Sequence, residues 1–310
     1  MKGTVIKSTG SWYTVRHIEG QIQARIKGKF RIDELRSTNP VAVGDLVSFE
    51  LQADGTAVIV EVNQRKNYII RRAAKLSKQT HILAANIDQC FLMVTLAYPS
   101  ISTGFIDRFL VCAQAYGIPI TLLFNKIDLY NETLSRQKNT LIELYKKIGY
   151  DCIELSVEKG KNLEIVKTKM KDKVSIISGH SGTGKSTLIN ALAPHWKLRT
   201  AAISRYHQKG RHTTTFAELF EWPFGGQIID TPGIKSFGLV DMERDEIQAY
   251  FPEIFRLRGQ CRFYNCLHLE EPECKVIKTL EKNEISTSRY LSYCAILENK
   301  KRTSRTEYWT

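Results

Sequence analysis

Gly179-His180-Ser181-Gly182-Thr183-Gly184-Lys185-Ser186 meets G-x-x-x-x-G-K-[ST] at every fixed position. The apolar run Val174-Ser175-Ile176-Ile177 leads into it, and Thr187-Leu188-Ile189-Asn190-Ala191-Leu192 follows with helix-forming character. Strand, glycine loop and helix in that order read as a phosphate cradle. Glycine lets backbone N–H groups close on phosphate oxygens, and the helix N-terminus adds partial positive charge. Lys185 is placed to reach the β- and γ-phosphates and the Ser186 hydroxyl to ligate Mg²⁺, so residues Gly179 to Thr187 are the candidate nucleotide contacts.

Upstream, the strand candidates Cys90–Val94, Ile118–Phe124 and Cys152–Leu155 alternate with helical stretches near 103–116 and 132–148. Leu141, Ile142, Leu144, Tyr145 and Ile148 put an apolar stripe on the second helix. Alternation of this kind predicts a mostly parallel sheet covered by helices, with ligands beyond the carboxyl ends of its strands. More motifs fall at those ends. In Asn125-Lys126-Ile127-Asp128, the Asp128 carboxylate suits the ring N–H and exocyclic amine of guanine, a donor pair that adenine lacks. Asn125 is expected to read the other base edge and the Lys126 stem to cover the base plane, whereas a helix-capping Asp128 is the plainer alternative. Ser156-Val157 offers a backbone N–H behind the base. Asp230-Thr231-Pro232-Gly233 follows Gly226-Gln227-Ile228-Ile229, with Asp230 expected to hold Mg²⁺ through water and the Gly233 N–H to sense the γ-phosphate. Within Gly210-Arg211-His212-Thr213-Thr214-Thr215, Thr214 is the expected further Mg²⁺ ligand, and residues 197–215 read as a switch loop.

The order of these motifs is informative. The usual GTPase has its phosphate loop first and N-K-x-D late, whereas here N-K-I-D and Ser156 precede the phosphate loop and D-T-P-G comes last. The same sheet can be assembled with shifted termini where the original ends lie close together, so the pattern predicts a circularly permuted GTPase domain. Asp230 then leads into the C-terminal domain, whose position is expected to answer to nucleotide state. Ile234-Lys235-Ser236 supplies no Gln to orient the attacking water, so intrinsic hydrolysis is expected to be slow. His212 is the candidate for that catalytic role, with a structural or RNA-contacting role as its alternative.

Residues 1–65 read as a separate domain. Gly3–Lys7, Trp12–Arg16, Gln21–Ile26, Asp45–Leu51 and Ala57–Val62 are β-rich segments, which suits a small closed barrel of the OB-fold kind. Trp12, Tyr13, Arg16, Arg25, Lys27 and Lys29 are candidates for base stacking and phosphate contact, set against a core role for either aromatic. Residues 66–81 look like a basic linker, and 66–238 complete the GTPase domain. The whole chain carries a formal net charge of +13, and residues 1–81 hold 14 Lys/Arg against 7 Asp/Glu. That imbalance points to an anionic partner, most plausibly nucleic acid, with a solvated basic surface as its alternative.

Residues 239–310 carry Cys261-x4-Cys266-x-His268-x5-Cys274. Three thiolates and one imidazole this close suit a structural tetrahedral Zn²⁺, which leaves no open position for catalysis. Asp245–Arg256 and Lys275–Leu297 look helical, and the tail with Lys300, Lys301, Arg302 and Arg305 is expected to fray. No apolar signal run opens the chain and no stretch of 18 apolar residues occurs, so neither secretion nor a membrane partner is expected.

Together, the OB-like barrel, the permuted N-K-I-D, G-H-S-G-T-G-K-S, G-R-H-T-T-T and D-T-P-G order and the C-x4-C-x-H-x5-C knot resemble the ribosome-small-subunit-dependent GTPase A family over nearly the whole chain. The resemblance implies a bacterial cytoplasmic GTPase, taken as a monomer. It also implies binding to the small (30S) ribosomal subunit and its 16S rRNA near the decoding region, a role late in that subunit's maturation, and hydrolysis stimulated by the ribosome. The family's apolar residue in place of Gln corresponds to Ile234. A GTP-gated rRNA-binding module whose hydrolysis is incidental is the rival reading, and an ATP-dependent kinase is a third.

Overall fold

Five short strands close on themselves at the N-terminus. In the computed structural model, which describes residues 1–27, 40–72, 80–196, 217–230 and 242–306, they are β1 (Lys2–Ser8), β2 (Tyr13–His17), β3 (Gly20–Ile26), β4 (Leu46–Leu51) and β5 (Ala57–Val62). Their pairing runs β1-β2-β3-β5-β4 and returns to β1, so the barrel is complete. Alternation sends Val5, Val15, Ala24, Val47, Phe49, Ala57 and Ile59 inward. Of the two adjacent aromatics, Tyr13 joins this core, while Trp12 stays half-buried with the Arg25 guanidinium 3.8 Å above its ring.

The segment expected to be a basic linker contains a β-ribbon. β6 (Tyr68–Arg72) pairs antiparallel with β7 (Thr80–Ala85), and Ile69, Ile82 and Ala84 are buried. Strands of five and six residues, the first ending in two arginines, are too short for a periodic signal to outweigh the charge. The ribbon is a mount for the barrel. Ala84 bridges to Val43, and a Cβ on Gly44, which sits at φ +92°, would lie 2.1 Å from the Ala85 carbonyl oxygen. Beside this contact Arg65 donates two 2.7 Å bonds to the buried Asp45.

The central sheet has the order β10-β9-β8-β11-β13-β12. β8 (Gln89–Val94), β9 (Ile120–Phe124), β10 (Asp151–Glu154), β11 (Val174–Ser178) and β13 (Gln227–Asp230) are parallel, and β12 (Glu218–Glu221) runs against β13. Every residue of β8 is buried because both faces are covered. Cys90, Leu92 and Val94 pack toward α1 (Thr103–Ala115) and α2 (Glu132–Ile148). Phe91 and Met93 pack toward α3 (Leu163–Met170) and α4 (Lys185–Leu192). Ser102 and Asn131 cap α1 and α2 through their side-chain oxygens. β12 has no counterpart among the expected strands. It pairs with β1 at Glu218↔Lys7, which joins barrel and central sheet into eleven continuous strands.

The helical stretch expected over Lys275–Leu297 is two helices, Lys275–Glu281 and Thr287–Thr306, parted where Asn283 takes φ +57°. Helical backbone continues past residue 300, where fraying was expected. Val111 of α1 shares a core with Ile247, Phe251, Ile254, Val276, Tyr293 and Leu297, so the C-terminal region packs directly on α1.

Candidate nucleotide and metal sites

The carboxyl ends of the five parallel strands lie along one edge of the sheet, and the motif residues follow from them. After β9, Asn125 is 2% exposed and its amide is engaged on both sides. Its Nδ2 donates to the Thr183 carbonyl at 2.9 Å, and its Oδ1 accepts from the Val157 N–H at 3.2 Å. Asn125, expected to read a base edge, staples the ends of β9 and β10 to the phosphate loop. Its own carbonyl accepts from the Tyr130 hydroxyl at 2.8 Å, which in turn accepts from the Leu96 N–H.

Asp128 is exposed at the rim. The buried Ser156 hydroxyl accepts from the Lys159 N–H at 3.2 Å, which directs its proton toward Asp128 Oδ1. Ser156 therefore meets Asp128 through its side chain, while its backbone N–H, the expected contributor, donates to the Lys161 carbonyl at 3.4 Å. The Lys126 ammonium is held by the Tyr98 carbonyl.

The phosphate loop follows β11 and ends in α4. A Cβ on Gly184, at φ +101°, would lie 2.5 Å from Asn125 Nδ2, so the approach that lets Asn125 reach the loop requires glycine. The Lys185 ammonium donates to the carbonyls of Gly179 (2.7 Å) and His180 (2.6 Å) and so lies over the loop. Thr183 is buried with its hydroxyl on the His180 carbonyl, the His180 ring stands edge-on to Phe105 at 4.0 Å, and Ser181 and Thr187 are exposed. Ser186 is half-buried in the first turn of α4, and Asp230 ends β13, the strand that pairs with β11. Burial, and then the Glu218 carboxylate, push the Asp230 carboxyl up to about 6. The Ser186 hydroxyl in the first turn of α4 and the Asp230 carboxylate at the end of β13 are hard oxygen donors of the kind Mg²⁺ takes. His212, Thr214, Gly233 and the switch loop lie outside the described residues. A cleft of about 430 Å³ lined by Gln114, Gly117, Ile120, Tyr150 and Asp151 opens at the opposite edge of the sheet and holds none of the motif residues.

A second site gathers Cys261, Cys266, His268 and Cys274, whose ligand atoms all lie within 4.8 Å of one another. His268 Nδ1 is 3.5 Å from Cys261 Sγ and 3.4 Å from Cys274 Sγ, and those sulfurs are 3.9 Å apart. A tetrahedron with Zn–S near 2.3 Å and Zn–N near 2.0 Å has edges of about 3.5 to 3.8 Å, which these three separations match, and Cys266 is close enough to complete the set. Burial holds His268 below its ordinary pKa, which keeps a lone pair available. Gln248 Oε1, 3.1 Å from Nε2, fixes the tautomer that leaves Nδ1 facing the sulfurs. The Lys275 N–H donates to Cys261 Sγ. Gln248, like the Ser156 hydroxyl and Phe105, carries no signal in sequence, because each acts on a residue 20 or more positions away.

The RsgA GTPase family model matches residues 62–240, and that of the RsgA N-terminal domain matches residues 2–59. The small ribosomal subunit biogenesis GTPase RsgA of Bacteroides fragilis is 55% identical over 301 residues, covering 97% of each chain. The protein of that name from Christiangramia forsetii is 55% identical over 313 residues, covering 100% of this chain and 99% of its own. Among solved structures, YjeQ from Thermotoga maritima aligns with a TM-score of 0.77 at 34% identity, across 96% of this chain and 97% of that one. YloQ, described as a circularly permuted GTPase, aligns with a TM-score of 0.76 at 30% identity, across 97% and 95%.

Proposed function

The chain belongs to the RsgA GTPase family, and from that premise we propose that it hydrolyses GTP to GDP and phosphate late in the maturation of the small (30S) ribosomal subunit, which stimulates it. The observation that carries this reading is the Asn125 staple. By tying the N-K-I-D strand end to the Thr183 carbonyl, it sets Asp128 and the Gly179–Thr187 loop at a fixed spacing, as one guanine nucleotide needs. The units are residues 1–65, an OB-fold RNA-binding barrel, 66–238, the GTPase domain, and 239–310, the zinc domain.

In hydrolysis, water attacks the γ-phosphorus while its bond to the β–γ bridging oxygen breaks, and charge grows on the bridging and γ-oxygens. Lys185 and the loop N–H groups would stabilise that charge. Ser186, Thr214 and, through water, Asp230 would hold Mg²⁺, which would supply positive charge against the β- and γ-phosphates. Asp128, supported by Ser156, reads guanine, Lys126 covers its plane, and Asn125 supports the base pocket from behind. Gly233 senses the γ-phosphate, and His212 positions the water. The zinc ligands are Cys261, Cys266, His268 and Cys274.

The partner is the 30S subunit through its 16S rRNA, reached by a monomer in the cytoplasm. The excess of Lys/Arg in residues 1–81 and Trp12 under Arg25 support the rRNA contact. No helix among the described residues is long and apolar enough to cross a membrane. GTP turnover measured with and without purified 30S subunits at two salt concentrations tests the proposal. The expected result is strong stimulation that fades at high salt, and a slow rate indifferent to subunits would overturn it.

For the zinc site, metal analysis is expected to find one Zn²⁺ per chain, and Cys266→Ser is expected to lose it. A strong chelator should melt the C-terminal region, read as lost near-UV signal from Tyr290 and Tyr293, whose hydroxyls donate to the His268 and Leu267 carbonyls. Retention of the full signal without metal would argue against a structural ion.

A further inference from the structure

The barrel meets the nucleotide site along one sheet edge. β1 pairs with β12 at Lys7↔Glu218, and β12 pairs with β13 so that Glu218 lies directly opposite Asp230. Lys7 Nζ is 3.4 Å from Glu218 Oε2, and Arg16 of β2 takes Glu221 at the far end of β12. Beneath these pairs Ile6 of β1 shares a core with Leu219 and Ile229. Both carboxylates of β12 therefore have their counter-ions on the barrel.

Like charges placed directly opposite across an antiparallel pair repel, and the negative field they share draws a cation. Glu218 adds to that field at Asp230, and Lys7 subtracts from it. The Lys7 and Glu218 side chains are 45% and 38% exposed, so their pairing contributes little to folding. Its effect should be visible at the nucleotide site without a change in stability.

We propose that Lys7 of the barrel and Glu218 of β12 are positioning residues for the GTPase site, which set the charge that Asp230 presents to Mg²⁺ and so tie the barrel to nucleotide binding. The proposal deepens the functional reading above and rests on its placement of Asp230. A barrel ligand that drew Lys7 away from Glu218 would act as removal of the Lys7 charge does.

The test is the Mg²⁺ concentration that half-maximally slows release of a fluorescent GTP analogue from the full chain at low salt. Glu218→Gln is expected to raise that concentration roughly threefold, and Lys7→Gln to lower it by a similar factor. The double variant, with both charges removed, is expected to return close to the wild-type value. A merely structural contact predicts shifts of the same sign in both single variants, and that outcome, or no shift in either, overturns the proposal. Asp230→Asn separates the two levels. If it raises the Mg²⁺ requirement while the Lys7 and Glu218 variants do not, the inference alone fails. If Asp230→Asn has no effect, the placement of Asp230 fails and the inference fails with it.

Discussion

Asp128→Asn is expected to lower affinity for GTP by about 100- to 1000-fold while the protein stays folded. The carboxylate is set to accept two hydrogen bonds from guanine, and each bond to a charged acceptor contributes roughly 1.5–3 kcal/mol. The asparagine amide offers one acceptor and one donor, so the ring N–H keeps a partner while the exocyclic amine faces another donor. Xanthine carries a carbonyl at that position, and xanthosine triphosphate should bind the variant better than GTP does. Competition of both nucleotides against a fluorescent GDP analogue reads the switch. Asp128 is exposed and contacts Ser156 at the rim, so folding should be little affected. A variant that keeps its GTP preference would remove Asp128 from guanine recognition and reopen the kinase reading.

The second large effect is on stability. Arg289 of the C-terminal helix is fully buried and lies between two carboxylates. Its Nη1 donates to Asp107 Oδ1 of α1 at 2.8 Å, and its Nε and Nη2 donate to the Glu253 oxygens at 2.6 and 3.2 Å. The guanidinium carbon sits 4.5 Å over the Phe251 ring, and the Tyr145 hydroxyl of α2 adds a 2.8 Å bond to Asp107. Arg289→Met keeps much of the apolar volume but leaves Asp107 with no cation at 0% exposure. Removal of one partner from a buried pair costs about 3–5 kcal/mol. Asp107 Oδ2 already has no hydrogen-bond partner among the described residues, so little remains to absorb the loss. Adding Asp107→Asn to Arg289→Met should cost less than the two separate losses combined. Denaturant unfolding of the three variants checks this, and an Arg289→Met protein as stable as wild type would show that the network does not hold the C-terminal region to α1. This contact also bears on the expectation that nucleotide state repositions the C-terminal domain. Arg289 and Val111 fix that domain to α1, and α1 meets the phosphate loop through Phe105 and His180. Motion passed on from Asp230 therefore has to move α1 as well.

Most of the architecture was legible because it is written in short-range chemistry. The phosphate loop needs glycines at set spacing, the Cys₃His knot gathers four ligand-type residues within fourteen positions, and the barrel strands alternate as half-buried strands do. The ribbon formed by β6 and β7 was hidden behind its arginines, and β12 is too short to show a period. Asn125 was expected to contact the base, and its bond to the Thr183 carbonyl was not foreseen, because Thr183 is 58 positions away.

By itself, then, the sequence determined which groups are present and the order in which the chain presents them: N-K-I-D before G-H-S-G-T-G-K-S before D-T-P-G, with a barrel ahead and a Cys₃His knot behind. These are local facts, set by side-chain chemistry and by the backbone freedom of single residues. Tertiary structure alone decided which groups meet: Ser156 with Asp128, Gln248 with His268, Arg289 with Asp107, and Lys7 with the strand opposite Asp230. Contacts of that kind depend on how whole strands and helices pack, and no local spacing encodes them.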